Sequence, residues 1–173
     1  MAAASPANSD RAYGFKPYGP IGRVMAHGVL AGYGTAIFVN DLVSATAGGG
    51  IQASAAADNL VMRGSAVTGS AASTAGDVAV CISAGQLYQA QEDSVSATLA
   101  LADRGTTADH IAGAGSAVTG LSGHEIDSDT ADASGDDQIL INDLLNRSDN
   151  LVGDNAEWIV ELVGHITHGQ VGV

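Results

Sequence analysis

Residues 138–145, QILINDLL, and 157–168, EWIVELVGHITH, are two apolar runs joined by NRSDNLVGDNA, a loop of Asn, Asp, Ser and Gly. Bounded in that way, they read as two antiparallel strands. The second alternates. Trp158, Val160, Leu162, Gly164 and Ile166 fall on one face; Glu157, Ile159, Glu161, Val163 and His165 fall on the other. A period of two with one dry face predicts a sheet that covers a core on one side. The chain's one Trp sits on that face, so this hairpin is expected to be the sheet to which other strands add. The first half carries a fainter copy, TAIFVNDLVSAT at 35–46, with Asn40-Asp41 where the hairpin has Asn142-Asp143.

Outward from the hairpin, short apolar runs recur between turn residues. VMAHGVL (24–30) and TAIFVNDLV (35–43) read as strands joined by AGYG, with His27 facing solvent. Residues 46–76 are Ala, Gly, Ser and Thr, with pulses at GGIQAS and NLVMRG that predict short strands on long connections. DVAVCIS and QLYQAQED, split by Ala84-Gly85, read as a second hairpin. DHIAGAGSAVTG predicts a strand and turn, and HEIDSD a short strand. Residues 97–104 allow one short helical piece. The expected fold is therefore all-β: an antiparallel β-barrel or sandwich with long Gly/Ala-rich loops and little helix. Residues 24–173 form a single β domain, preceded by an extended N-terminal arm, residues 1–23. GSAVTG occurs at 64–69 and at 115–120, a spacing of 51, whereas Asn40 and Asn142 are 102 apart. A solenoid keeps one short period, so reused turns explain the echo better than a repeat protein does.

The 173 residues suit one domain that needs no disulfide to fold. Cys81, alone in an apolar run, reads as a small buried hydrophobe. Hydrophobic residues make up 46% but aromatics only 4%, so the core is mostly aliphatic and gains from sharing surface with a partner. Net charge is −13, which disfavours nucleic acid, since phosphate binding needs basic patches. No run of 18 apolar residues predicts a membrane span, and MAAASPANSDRAYG is not the pattern of a signal peptide.

The charge is unevenly spread. Residues 1–23 hold Arg11, Lys16 and Arg23 against Asp10, a balance of +2; residues 24–173 hold three bases against 18 acids, a balance of −15. Within the leader, YGFKPYGPIGR (13–23) carries three of the seven aromatic residues, Tyr13, Phe15 and Tyr18. Pro17 and Pro20 deny it a helix. A ring-bearing extended segment cannot build its own core and must lie against its own domain, a neighbouring copy or a different protein. Tyr13, Phe15, Lys16, Pro17, Tyr18, Pro20 and Arg23 are the expected contacts to another chain.

No catalytic set stands out. The alternation puts His124 and Glu125 on opposite faces, and likewise His165 and His168, so no metal site is expected. Asp127, Asp129, Asp132, Asp136 and Asp137 begin like a calcium loop but lack its sixth-position Gly and closing Glu, leaving at most weak Ca2+ binding. Gly48–Gly50 precede no Lys, and no G-x-S-x-G is present. No cofactor and no enzyme activity are expected.

Taken in order, YGFKPYGPIGR, AGYGTAIFVNDLV, QLYQAQEDS, DHIAGAGSAVTGLSGHEIDSD and the C-terminal hairpin resemble small structural proteins of tailed-bacteriophage heads. The likeness spans roughly residues 13 to 168 and rests on a series of short motifs. The resemblance implies a decoration, or cement, protein: a virion protein on the outer capsid surface, assembled in the host cytoplasm, acting as a homotrimer and clamping neighbouring major capsid proteins through Tyr13 to Arg23. The competing reading is an exposed β-barrel module that binds host-surface carbohydrate, with Tyr33, Tyr88 and Trp158 as candidate platforms.

Overall fold

The computed structural model describes residues 8–56, 62–133 and 137–163. It is all-β, with twelve strands and two single-turn 3-10 helices, Leu101–Asp103 and Ser128–Thr130, among the described residues. The strands are β1 (Lys16–Pro17), β2 (Val24–Val29), β3 (Leu42–Ala45), β4 (Ile51–Ala53), β5 (Met62–Ala66) and β6 (Gly76–Cys81). They continue as β7 (Leu87–Gln91), β8 (Thr107–Ala108), β9 (His110–Gly113), β10 (Gly123–Ile126), β11 (Ile139–Leu144) and β12 (Glu157–Leu162). No helix of the described residues is long and apolar enough to cross a membrane.

Two cores organise these strands. β2, β4, β3, β5 and β6 close a five-stranded barrel whose interior holds Val29, Ile37, Val43, Ile51, Ala66, Val78 and Val80. A barrel of so few strands is narrow, and Val, Ala and Ile fill it without rings. A five-stranded sheet, in the order β1-β7-β12-β11-β8, covers the second core, with Trp158, Tyr88, Ile139, Ile141 and Val160 in it. Leu42 and Met62 of the barrel strands belong to this second core. Successive side chains on β3 therefore serve different cores, Leu42 the sheet and Val43 the barrel, and the strand is buried on both faces.

The C-terminal hairpin is present as expected. β11 and β12 pair antiparallel from Ile139↔Leu162 to Leu144↔Trp158, and β12 lies mid-sheet between β11 and β7. Trp158, Val160 and Leu162 are buried together. The register slips between Ile141 and Asp143, so Asn142 forms a bulge. Its echo also breaks a strand: Asn40 takes a φ of 71°, and the Asp41 carboxylate folds back to accept from Phe38 N–H at 2.7 Å. TAIFVNDLV is thus single bridges at Ile37 and Val39 followed by β3, where one strand is expected.

Two expectations are corrected. DVAVCIS and QLYQAQED are strands but not a hairpin. β6 pairs with β2 and β5 in the barrel, whereas β7 pairs with β1 and β12 in the sheet. Their apolar faces fit separate cores, Val78 and Val80 in one and Tyr88 and Ala90 in the other, and that outweighs the short link between them. Glu157, expected on the wet face of β12, is buried. Cys81 is buried and free. The two GSAVTG copies differ, the first running out of the end of β5 and the second forming a loop beyond β9. His165, His168 and Asp136 lie outside the described residues.

Candidate docking surface and charged groove

The leader is where the structure departs furthest from expectation. Its backbone groups are met inside the same protomer. Gln91 Nε2 donates to the Ser9 carbonyl (2.7 Å), and Arg11 N–H donates to Gln91 Oε1 (2.9 Å). Asn40 Nδ2 donates to the Tyr13 carbonyl (2.9 Å), Phe15 N–H to the Asn40 carbonyl (2.9 Å), and Ser65 Oγ to the Phe15 carbonyl (2.7 Å). Lys16 and Pro17 pair with Gln89 and Tyr88, and Tyr18 N–H donates to the Leu87 carbonyl (2.8 Å). Gln86 Nε2 then donates to the Tyr18 carbonyl (3.1 Å) and Gln86 Oε1 accepts from Gly22 N–H (2.9 Å). Side-chain amides of the body thus supply the partners that a proline-broken strand cannot find in a ladder. Gly14 permits the approach: with φ 76°, a Cβ there would stand 2.4 Å from the Asn40 carbonyl oxygen.

This corrects the premise of a leader that cannot satisfy itself. Phe15 is 0% exposed, in the core of its own chain, with His110 edge-on to its ring. The other expected contact residues divide into two surfaces.

Lys16, exposed, and Tyr13, half-buried, line a groove of about 620 Å³ with Arg11, Arg147 and Glu157. Arg147 grips Glu157 with two nitrogens, Nη1 to Oε2 and Nη2 to Oε1, both at 2.9 Å, and Tyr13 Oη donates to Oε2 at 2.8 Å. Burial, and then the Glu157 charge, raise the Tyr13 phenol well above its ordinary range, so it stays a donor. Three of the six bases of this acidic chain meet in one groove. Arg147 is committed to Glu157 and Asp149; neither Arg11 nor Lys16 is in an ion pair among the described residues.

Tyr18, Pro20 and Arg23 face outward, Pro17 being half-buried. Ile21, Val24 and Met25, beyond those expected, join them: exposure is 40% at Tyr18, 53% at Ile21, 43% at Val24 and 38% at Met25. They border an open strand edge. β2 pairs with β6 along its whole length, but with β4 only at Val29↔Ile51. Ile82 N–H donates to the Arg23 carbonyl, and antiparallel alternation from there turns the backbone groups of Val24 and Ala26 away from β6. Consecutive apolar letters in PIGRVM were the signal in the sequence; that β2 has a free edge was not readable there.

A third feature is a cleft of about 400 Å³ with Tyr33, Phe38, Asp41 and His124 among its walls. His124 is packed on His110, ring centroids 5.3 Å apart. Its Nδ1 accepts from Leu42 N–H (3.3 Å), which leaves the proton on Nε2, 3.6 Å from Asp41 Oδ1. Burial, and then His110, lower its pKa to about 3. Nδ1 is taken by the Leu42 N–H and Nε2 carries the proton, so the neutral ring has no free lone pair to take a proton from a hydroxyl. Asp41 is raised, mainly by burial. The Leu42 N–H bond to His124 Nδ1 therefore joins β3 to β10 as a structural link. Among the described residues no group of three or more His, Cys, Asp or Glu could hold a metal ion.

No family model matches the chain, and no curated protein or solved structure compared with it matches either.

Proposed function

We propose that the protein is a structural virion component that binds the outside of a phage capsid and ties neighbouring major capsid proteins together, its copies grouped as a homotrimer. The supporting observation is the apolar surface at the end of the leader. Half of the ten large hydrophobic side chains exposed among the described residues lie between Tyr18 and Leu30, so this surface, rather than a free arm, is assigned to the capsid. An exposed apolar strand edge is a template for pairing with another chain, and exposed apolar patches mark interaction sites. The carbohydrate reading has less support, because Trp158 and Tyr88 are buried and the Tyr33 hydroxyl accepts from Ala53 N–H.

Heads assembled without the protein should recruit the wild-type chain and fail to recruit Ile21→Asp/Met25→Asp, with the circular dichroism of that variant unchanged. Undiminished recruitment of the variant would remove this surface from the reading, and heads that ignore the wild-type chain would remove the reading itself.

A further inference from the structure

We propose that the groove bearing Arg11 and Lys16 is a self-association site that seats the acidic face of a second copy, formed by Asp93, Asp109, Glu125, Asp127 and Asp129. The inference rests on the self-association in the reading above and names its interface. Two independent observations point to it. The first is the groove, which gathers half the positive charge of a −13 chain and leaves two of its cations outside any ion pair among the described residues. The second is the state of the acidic face. Around the end of β10 the backbone gathers carboxylates: Asp93 N–H donates to the Ile126 carbonyl (3.0 Å), Asp127 N–H to the Asp109 carbonyl (3.0 Å) and Asp129 N–H to Asp127 Oδ1 (3.3 Å), with Glu125 beside them on β10. Burial and this crowding hold Glu125 up to about 7 and raise Asp127. A face of mutually repelling carboxylates is relieved by external cations.

The occupant is a second copy because both halves of the contact are on this chain and adjoin. Arg11, which lines the groove, donates its N–H to Gln91 Oε1 (2.9 Å), two residues before Asp93 of the acidic face. Complementary patches at different places on one subunit make a head-to-tail contact, and neighbouring patches let such contacts close into a small ring. Charge across this interface would set register and partner choice more than raw affinity.

Light scattering of the full-length protein across a concentration series, at low and high salt, tests the proposal. The wild type should self-associate and weaken as salt rises. Arg11→Glu/Lys16→Glu and, separately, Asp109→Lys/Asp129→Lys should each weaken association roughly 100-fold. The chain carrying all four substitutions should regain it, because the signs are exchanged and complementarity is restored; that rescue also separates a lost interface from a lost fold. A wild type that stays monomeric would overturn both the interface and the self-association beneath it. Association untouched by either reversal would overturn the interface alone, and head recruitment, read separately, bears on neither.

Discussion

Phe15 and His110 meet edge to face, ring centroids 6.2 Å apart and planes crossed at 88°. One residue comes from the leader and the other from β9, 95 positions later in the chain. His110 packs in turn on His124, which accepts from the backbone of β3. The leader is therefore pinned at Phe15 in the core shared by the sheet and the outer side of the barrel.

Phe15→Ala should then behave as a core deletion. A loss of about 3–5 kcal/mol is expected for a fully buried Phe, read from urea unfolding. A loss below about 1 kcal/mol would mean the ring is not in the core. Removing residues 1–22 should destabilise the body by more than this single change, because the truncation also strips β1 from the sheet edge.

Tyr13→Phe should cost about 1–2 kcal/mol, since it removes a hydrogen bond to a buried carboxylate. Arg147 is partly exposed, so Arg147→Ala should cost only about 2 kcal/mol despite its two contacts with Glu157. The two losses should not add, because both act on the same Glu157 oxygens. A double-mutant cycle with zero coupling would contradict that geometry.

Two buried groups give stability opposite slopes against pH. Glu92 is raised to about 7, chiefly by burial; Oε2 accepts from Leu99 N–H at 2.6 Å, and Oε1 has no hydrogen-bond partner. A raised carboxyl favours the folded state fully below the ordinary carboxylate pKa, and that advantage is lost as pH rises through about 7. His124 is lowered to about 3, so its share is present above the ordinary His pKa and is lost as pH falls from there through about 3. Melting temperatures across this range should show Glu92→Gln flattening the alkaline fall and His124→Asn the acid fall. Curves that keep the wild-type shape would refute both assignments.

Gly64 in β5 has a φ of 138°, and a Cβ there would stand 1.9 Å from the Cys81 carbonyl oxygen. Gly64→Ala should cost about 3 kcal/mol by strain and backbone displacement. Gly19→Ala, also at positive φ but with open space around it, should cost about 1 kcal/mol. Equal losses by thermal unfolding would show that the close approach of β5 to β6 does not matter.

The alternation from Trp158 to Leu162 is local, because a strand's side chains change faces at every residue whatever surrounds it. All-β architecture, the C-terminal hairpin, the buried Cys81 and the aliphatic core followed from such patterns and from composition. Three things did not. β6 and β7 part company because each apolar face fits a different core, and an alternating run does not say which core it will meet. Glu157 is buried because Arg147, Tyr13 and the Asn150 side chain converge on it. The leader lies in its own protomer because Asn40, Gln86 and Gln91, 27, 68 and 82 positions away along the chain, carry the amides that satisfy its backbone. Prolines and rings announced a segment that needed a surface. Which surface it received was a matter of distant side chains brought within hydrogen-bond reach, and only the tertiary structure decides that.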